Sequence, residues 1–407
     1  MNKLRVRVYN VRFGDAILVT VPDSDGNGKT HIRHILIDFG NVLRGEGGID
    51  NVFEPVIDNI IQTLDGNPLD LYIMTHEHMD HVQGLVYAAK RLNKKFDVDY
   101  AWLTASASKD YYKRGKHPGA KKKKLELSDV YTDIERFLKA APAQEDSWIK
   151  TLMLNNNPKK TEDCVKYLRK LAKTTTYVYR GCRLEGGHPF REARFDIWAP
   201  EENTSVYYRK FHPMALNIKP PAPGGKKFIL EYPEPPSGVD AGAFYNLVEM
   251  RSRGYMDNIL AIDKAANNTS VVFCLEWGGW RLLFAGDAER RSWKTMEKAG
   301  VLKEIHFFKV SHHGSHTGLP PDKILDTILP KKPEIGGKRI AVVPTYPGTY
   351  RNVPDEELLE KELAPRCDEL KYIIKDKEQK KGEKRGKKET ETMKDGGYLD
   401  FEFEGRK

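Results

Sequence analysis

The run Thr75-His76-Glu77-His78-Met79-Asp80-His81 places four potential metal ligands within six residues of the chain. The residues from Leu69 to Thr75 predict a short buried strand, and helical spacing of apolar residues resumes from Val82 to Leu92. Imidazole and carboxylate groups are ligands that Zn²⁺ accepts, and a loop can turn such close neighbours toward two adjacent metals. The run therefore predicts a metal site at a sheet edge of an α/β fold. The alternative is a polar loop whose histidines only cap backbone groups.

Two later stretches place further candidate ligands directly after apolar strands. Phe284-Ala285-Gly286-Asp287 ends in a carboxylate that suits a bridging position between two metals, although a Gly-Asp pair is often only a turn. Val310-Ser311-His312-His313-Gly314-Ser315-His316 supplies at least one imidazole. We favour His313 as the ligand because the glycine after it permits a sharp turn at a metal. This leaves His312 or His316 for a substrate or supporting role.

Length and composition restrict the class of protein. The chain has 407 residues, of which 39% are hydrophobic and 31% charged, as in soluble globular proteins. The sequence has no apolar run near the roughly 20 residues that a membrane helix needs, and residues 1–8 alternate like a strand rather than a secretory signal. The four cysteines lie far apart without CxxC spacing. We therefore expect a soluble protein of a reducing cytoplasm.

The pattern of elements predicts a single α/β domain over residues 1–407 with long insertions. A helical basic insertion is expected over 105–175, and an irregular Pro/Gly-rich arm, which could dock a protein partner, over 201–266. A Lys-rich loop over 375–396 precedes a final strand that alternates from Tyr398 to Phe403. Hairpins are predicted around Phe13-Gly14-Asp15 and around Gly278-Gly279.

The net charge of +9 is concentrated in two lysine-rich clusters. One includes Lys121 to Lys124, and the other lies between Lys380 and Lys388. Such clusters are typical of proteins that bind a polyanion such as nucleic acid, because lysines displace counterions from phosphates. Two solvated loops without a ligand are an equally good interpretation.

These motifs together resemble, in their order along the chain, the metallo-β-lactamase superfamily. Within it, Phe13 to Ile17, Asn267 to Val272 and His312 to Ser315 are most similar to the hydrolase domain attached to the competence channel ComEC. The resemblance covers Leu4 to Gly318 discontinuously. It implies an αββα sandwich with long insertions.

The resemblance also implies a set of site residues. His76 and His78 would bind a first metal, Asp80, His81 and His313 a second, Asp287 both, and Asp38 would be a supporting carboxylate. Many members of the superfamily have a further histidine where Asn267 and Asn268 stand here, so His188 or His212 would have to substitute from elsewhere. The implied cofactors are two divalent ions, Zn²⁺ or Mn²⁺.

The expected function is that of a metal-dependent hydrolase that uses a metal-bound hydroxide. Asp80 could orient the water, and His312 and His313 would complete the catalytic site. We expect a phosphodiesterase or nuclease acting on nucleic acid or another phosphate-bearing substrate. The alternatives are a small-molecule esterase or lactonase, and a non-catalytic binding module of a multi-protein bacterial system.

Overall fold

A computed structural model describes residues 3–25, 27–42, 50–113, 116–208, 210–212, 217–219, 229–231, 234–252, 254–346, 348–350, 352–374 and 396–406, except for 141–146. The strands are β1 (Lys3–Tyr9), β2 (Ala16–Ser24), β3 (Thr30–Phe39), β4 (Leu69–Met74), β5 (Val98–Thr104), β6 (Ala172–Val178), β7 (Arg194–Ala199), β8 (Asn217–Lys219), β9 (Ile229–Glu231), β10 (Val272–Trp277), β11 (Trp280–Phe284), β12 (Phe307–Lys309), β13 (Ile340–Val343), β14 (Glu369–Tyr372) and β15 (Tyr398–Glu404). The helices are α1 (Asp50–Leu64), α2 (Met79–Arg91), α3 (Pro118–Ala140), α4 (Ser147–Asn155), α5 (Pro158–Leu168), α6 (Ala241–Ser252), α7 (Gly254–Asn267), α8 (Arg290–Lys298), α9 (Asp322–Ile328) and α10 (Glu356–Glu362). The prediction of an α/β chain is confirmed.

Two mixed sheets form the centre of the described chain. The first has the order β15-β1-β2-β3-β4-β5-β6 and the second the order β14-β13-β12-β11-β10-β7. In the first sheet β3 to β6 run parallel, and in the second β11 to β14 do. Since neighbouring parallel strands need a crossover connection, helices alternate with them along the chain. The carboxyl ends of β3 and β4 meet at one edge of the first sheet, and those of β11 and β12 at one edge of the second.

The apolar side chains form three large clusters that define the layers. One cluster contains residues of both sheets, among them Ile37, Ile73, Phe273 and Phe284, and lies between them. A second joins the outer face of the first sheet to α1, α2 and α5. A third joins the outer face of the second sheet to α8, α9 and α10. Alternating side chains on each strand therefore serve two cores, because successive residues of a strand point to opposite faces.

The predicted hairpins and the final strand are confirmed. β1 pairs with β2, and β10 pairs with β11 across Gly278-Gly279. β15 pairs with β1 antiparallel along its length, so the chain returns to the edge of the first sheet. The Lys-rich loop predicted over 375–396 lies outside the described residues, apart from Gly396.

The prediction of an irregular arm over 201–266 is wrong for its second half. Residues 241–252 form α6, and residues 254–266 form most of α7. Tyr255, Ile259 and Ile262 of α7 are spaced as one helix face and pack against α3 and α4 in a separate apolar cluster. The apolar spacing of α7 is present in the sequence, but it follows a Pro/Gly-rich stretch that by itself indicates irregular structure.

The 105–175 insertion ends earlier than expected. α3 and α4 belong to the separate cluster with α7, whereas α5 packs on α2, and β6 is the edge strand of the first sheet. The described parts of the two insertions thus pack on each other. None of the described helices is both long enough and apolar enough to cross a membrane.

Candidate metal centre

Ligand-type side chains from both sheets converge where the parallel strands end. Asp38 is the second-last residue of β3, the histidine run follows β4, Asp287 follows β11, and His313 follows β12. α2 begins at Met79, so Asp80 and His81 lie in its first turn rather than in a loop. A short loop after β4 and the start of a helix therefore share the run that the sequence assigned to a loop alone.

Four of the predicted ligands form a compact group that we call the primary centre: Asp80, His81, Asp287 and His313. Their ligand atoms all lie within 4.8 Å of one another, and the four side chains are buried. The Oδ2 atom of Asp287 is 3.2 Å from Nε2 of His81 and 3.3 Å from Nε2 of His313. Oδ1 of Asp80 and Nε2 of His81 have no hydrogen-bond partner among the described residues. Such orphaned buried atoms fit a metal ion, since buried polar atoms are otherwise almost always bonded.

The two imidazoles of the primary centre are fixed in one tautomer by their outer partners. Nδ1 of His81 is 2.8 Å from Oδ2 of Asp38, and Nδ1 of His313 is 2.9 Å from the carbonyl oxygen of Pro344. Carboxylate and carbonyl oxygens only accept hydrogen bonds, so each Nδ1 carries the proton. When the ring is neutral, each Nε2 therefore offers a lone pair to the centre, as a metal ligand must.

His76 and His78, which we call the histidine pair, are held in the same manner. The Thr75 hydroxyl donates to Asp38 over 2.7 Å, so its oxygen accepts from Nδ1 of His76 at 3.0 Å. Nε2 of His78 donates to Oδ1 of Asn156 over 2.8 Å. The remaining ring nitrogens, Nε2 of His76 and Nδ1 of His78, face each other at 3.0 Å with lone pairs only. Two lone pairs at this distance repel unless a cation or a proton lies between them.

The histidine pair is less complete than the primary centre. Within the described part of the chain, His76 and His78 do not belong to any group of three or more close histidine, cysteine or carboxylate donors. Asn156 is itself oriented, because its amide donates to Leu152 and to Asp263. The histidine pair thus offers a metal two ligands with fixed lone pairs and leaves its other coordination positions open.

A buried lysine lies beside the primary centre. The ammonium of Lys309 contacts Asp15 and lies 3.5 Å from Oδ1 of Asp287. Burial lowers the pKa of Lys309, but Asp15 and Asp287 outweigh burial and raise it above its ordinary value. The buried carboxylates of Asp15, Asp38 and Asp287 thus share one ammonium, and the imbalance favours binding of further positive charge.

Without a metal, this positive charge is supplied by protons on the imidazoles. Burial lowers the pKa of His81, yet Asp287, Asp80 and Asp38 raise it well above its ordinary value. Burial also lowers the pKa of His313, but the nearby carboxylates, Asp287 above all, outweigh burial and raise this pKa to about 10. Burial lowers the pKa of His76 well below its ordinary value. A divalent ion at the primary centre would therefore displace protons, and its affinity should rise with pH.

The backbone is strained at three of these positions. Asp38, His312 and His313 have φ angles of 52°, 49° and 52°, in the left-handed region. Such residues cost of order 1–2 kcal/mol each and persist where the surrounding structure over-determines them. Gly40 is also required, because a Cβ there would lie 2.3 Å from the Asp80 carbonyl carbon. The strain aims the side chains of Asp38, His312 and His313 at the site.

Comparison with protein families and with curated proteins gives no match for the chain. The site must therefore be interpreted from its own geometry.

Two predicted substitutes for the missing histidine lie elsewhere. His188 packs among Trp102, Phe190 and Phe195. Burial lowers the pKa of His188, and the charge of Asp23 opposes this shift. Asp23 lies at the other end of the β2–β3 hairpin from Asp38. The suggestion that His188 is a ligand is therefore wrong for this structure.

The remaining predicted residues do not join the primary centre. His212 hydrogen-bonds through its backbone to Asn258 on α7. His316 is exposed at the cavity rim, where Arg290 contacts it. Asn268 accepts a hydrogen bond from the backbone of Ser292 and so supports α8. His312 lies on the wall of the cavity beside the primary centre, and the buried amide of Asn267 contacts it.

Several residues at the site were not predicted. Asp15 follows the quoted Phe13-Gly14 pair, and Lys309 ends an otherwise apolar strand, so both had a local signal. Asn155, which accepts a hydrogen bond from the backbone of Asp80, and Asn156 come from the end of α4 and the residue after it. Asp263 comes from α7 and lies 3.9 Å from Nε2 of His78. These contributions of the insertions have no local sequence signature.

A cavity of about 490 Å³ opens onto the primary centre. Its floor includes Asp80, Asp287 and His313, and aromatic rings such as Phe13 and Tyr350 line its sides. A second cavity of about 410 Å³ adjoins His78 and is lined by residues of α3, α5 and α7. The two insertions thus form walls around the site, and a molecule of substrate size can enter beside the buried ligands.

Proposed function

We propose that this chain is a metal-dependent hydrolase of the metallo-β-lactamase fold. The layering of helices, two mixed sheets and helices supports that fold, as do ligands at the carboxyl ends of strands in both sheets. One observation carries the functional proposal. Each of four imidazoles is held at one ring nitrogen by an outer hydrogen-bond acceptor, so the other nitrogen can offer a lone pair inward when the ring is neutral.

The chain's own groups divide into ligands and positioning residues. Asp80, His81, Asp287 and His313 would hold one divalent ion, and the histidine pair a second, with Zn²⁺ and Mn²⁺ as the matching metals. Bound ions would supply a Lewis acid and lower the pKa of a coordinated water toward about 7.

Four positioning groups fix these ligands and the charge around them. Asp38 and Pro344 keep the imidazole tautomers of the primary centre, and Asn156 keeps that of His78. Lys309 holds Asp15 and Asp287 against mutual repulsion. The narrow ring of buried side chains excludes bulk water from the ligand atoms.

A phosphodiester is the substrate class that we favour. Lys121 and Lys124 of the basic insertion line the cavity beside His78, where they can attract a phosphate group. Tyr112 and Tyr208 line the same cavity and offer rings on which a base could stack. Lys124 is partly engaged, since it lies 3.6 Å from Glu77 and over the ring of Tyr112. Lys121 carries the larger part of this argument.

Hydrolysis of bis(p-nitrophenyl) phosphate by the chelator-treated chain, resupplied with Zn²⁺ or Mn²⁺, tests the proposal. We expect turnover that depends on added metal and is lost by at least a hundredfold in Asp287→Asn and in His78→Ala. His31→Gln is the matched control, because His31 is a partly exposed histidine that pairs with Asp25 on the surface.

Parallel assays separate the rival activities. Cleavage of single-stranded or duplex nucleic acid that weakens steeply with salt would extend the proposal to nucleic acid. Cleavage of simple esters without phosphodiesters would replace it with an esterase. Bound metal with no turnover on either class would overturn the hydrolase and leave a binding module.

A further inference from the structure

A second group of ligand-type side chains lies on the wall of the cavity that opens onto the primary centre. It consists of Asp263 from α7, Glu289 before α8, and His312, with the amide of Asn267 among them; we call these four the wall cluster. Ligand atoms of Asp263, Glu289 and His312 lie within 4.8 Å of one another. None of these atoms belongs to the primary centre.

The carboxylates of the wall cluster lack a fixed cation. Asp263 and Glu289 are 7% and 4% exposed, so both carboxylates are largely removed from water. Their ion-pair partners among the described residues are only histidines: His78 lies 3.9 Å from Asp263, and His312 lies 3.5 Å from Glu289. Lys264 lines the same cavity but forms no ion pair with either carboxylate in the described chain. Two buried acidic groups this close are costly without positive charge between them.

The amide of Asn267 gives an independent indication of a ligand. Its Nδ2 atom lies 3.1 Å from Asp263, 3.0 Å from Glu289 and 3.2 Å from Nε2 of His312. An amide nitrogen has two N–H groups, so at most two of these three atoms can accept a hydrogen bond from it. The side chain is fully buried, and its Oδ1 atom finds no hydrogen-bond partner among the described residues.

Inverting this amide turns its oxygen toward Asp263, Glu289 and His312. The inversion exchanges Oδ1 and Nδ2 without changing the shape of the side chain. It places a neutral oxygen between two carboxylates, where only a cation would stabilise it. The resulting donors are three oxygens and one imidazole.

We propose that the wall cluster is a separate site for a hard divalent cation of the Mg²⁺ or Mn²⁺ class. Carboxylate and carbonyl oxygens suit these ions, whereas the primary centre and the histidine pair, with four imidazoles, suit Zn²⁺. The site goes beyond the proposed hydrolase, because it uses other ligands and does not depend on turnover.

A cation on the wall would change which substrates the cavity accepts. Without it, Asp80, Asp263, Asp287 and Glu289 present acidic groups to the same cavity and repel an anionic substrate. With it, the wall could bind a phosphate next to the group at the primary centre. The cation would therefore provide the charge complementarity that a phosphodiester requires.

Counting bound Mn²⁺ in complementary variants tests the site. The chelator-treated chain is equilibrated with Mn²⁺, and bound metal is measured by mass spectrometry and by electron paramagnetic resonance. We expect Glu289→Gln to lose one equivalent and Asp287→Asn to keep that equivalent while losing metal at the primary centre. Glu297→Gln, which alters a surface glutamate paired with Lys323, is the matched control. Equal Mn²⁺ content in the wild type and Glu289→Gln would overturn the wall site, and equal content in the wild type and Asp287→Asn would overturn the primary centre instead.

Asn267→Asp supplies a second test that survives poor folding of the first variants. A third carboxylate in the same shape should raise the affinity for Mn²⁺ by about tenfold or more. The Asn267→Asp variant should also be less thermally stable than the wild type in chelator, and added Mn²⁺ should restore its stability. Unchanged Mn²⁺ affinity, or destabilisation that Mn²⁺ does not relieve, would overturn the site.

Discussion

Replacing Asp38 with Asn should weaken metal binding at the primary centre although Asp38 is not a ligand there. Asp38 is fully buried and accepts three hydrogen bonds, from the backbone and hydroxyl of Thr75 over 2.7 Å each and from Nδ1 of His81 over 2.8 Å. Asn has the same shape and tolerates the left-handed φ of 52°, so the backbone should hold. Its amide nitrogen, however, brings donors to a place that requires acceptors.

The size of the loss in metal affinity depends on which hydrogen-bond donor loses its acceptor. If the oxygen of the introduced amide keeps the Thr75 N–H, the amide nitrogen faces His81, and the imidazole must move its proton to Nε2, which removes the metal lone pair. If the introduced amide inverts, the Thr75 N–H is left unpaired, which costs about 1–3 kcal/mol. Loss of such an outer partner lowers metal affinity by about 10–100-fold, equivalent to about 1.4–2.7 kcal/mol.

Chelator competition with Zn²⁺ measures this affinity, and long-range ¹H–¹⁵N NMR spectra of the imidazoles report the His81 tautomer. Asp23→Asn is the matched control. Asp23 is also fully buried and accepts from Arg33 and from the backbone of Arg191 and Glu192, but it lies at the far end of the β2–β3 hairpin. It should lower stability and leave affinity unchanged within about twofold. If Asp38→Asn keeps wild-type affinity with His81 still protonated at Nδ1, the reasoning about fixed tautomers is refuted.

Three further predictions concern stability. Lys309→Met should destabilise the chelator-treated protein by about 3–5 kcal/mol in urea unfolding, because two buried carboxylates lose their ammonium; added Zn²⁺ should recover part of this, and an unchanged midpoint in chelator would contradict the charge argument. Gly40→Ala should displace the start of α2, since its Cβ would lie 2.3 Å from the Asp80 carbonyl carbon. We expect the free energy of unfolding to fall by about 1–3 kcal/mol and Zn²⁺ binding to weaken. Unaltered Zn²⁺ binding would show that α2 adapts. Burial, with Arg5 nearby, lowers the pKa of His34 from 6.5 to about 4, so the unfolded chain takes up a proton first as pH falls and stability declines from pH 7 toward pH 4. Between pH 7 and pH 5 this amounts to about 2 kcal/mol, which His34→Leu should abolish; an equal pH slope in both proteins would contradict it.

The sequence alone located most of the candidate ligands. An apolar strand precedes each of three motifs: the run from His76 to His81, Gly286-Asp287, and His312-His313. Parallel strands bring their carboxyl ends to one edge of a sheet. This is why Asp80, His81, Asp287 and His313 could be predicted from positions more than 200 residues apart and are brought together in the structure. The opening hairpin and the returning final strand were equally accessible, because alternation and Gly-rich turns are local signals.

The tertiary structure decided what each histidine does. His312 and His313 are neighbours with the same side chain and nearly the same φ, yet only His313 reaches the primary centre, while His312 joins the wall cluster. The tautomer of His78 depends on Asn156, which lies 78 residues away. Such choices depend on hydrogen-bond partners distant in sequence, and composition and spacing contain no information about them.

The insertions show the same division most clearly. Their helical periodicity could be found in the sequence, and that of α7 was overlooked only because prolines and glycines precede it. That α4 and α7 deliver Asn155 and Asp263 to the metal site could not have been predicted, because it follows from how the apolar faces of α3, α4 and α7 pack together. Local patterns determine which residues can form strands, helices and ligands, since these depend on near neighbours along the chain. Packing of distant faces determines which of those ligands meet, because burial of apolar surface is non-directional and is settled only when the whole chain has folded.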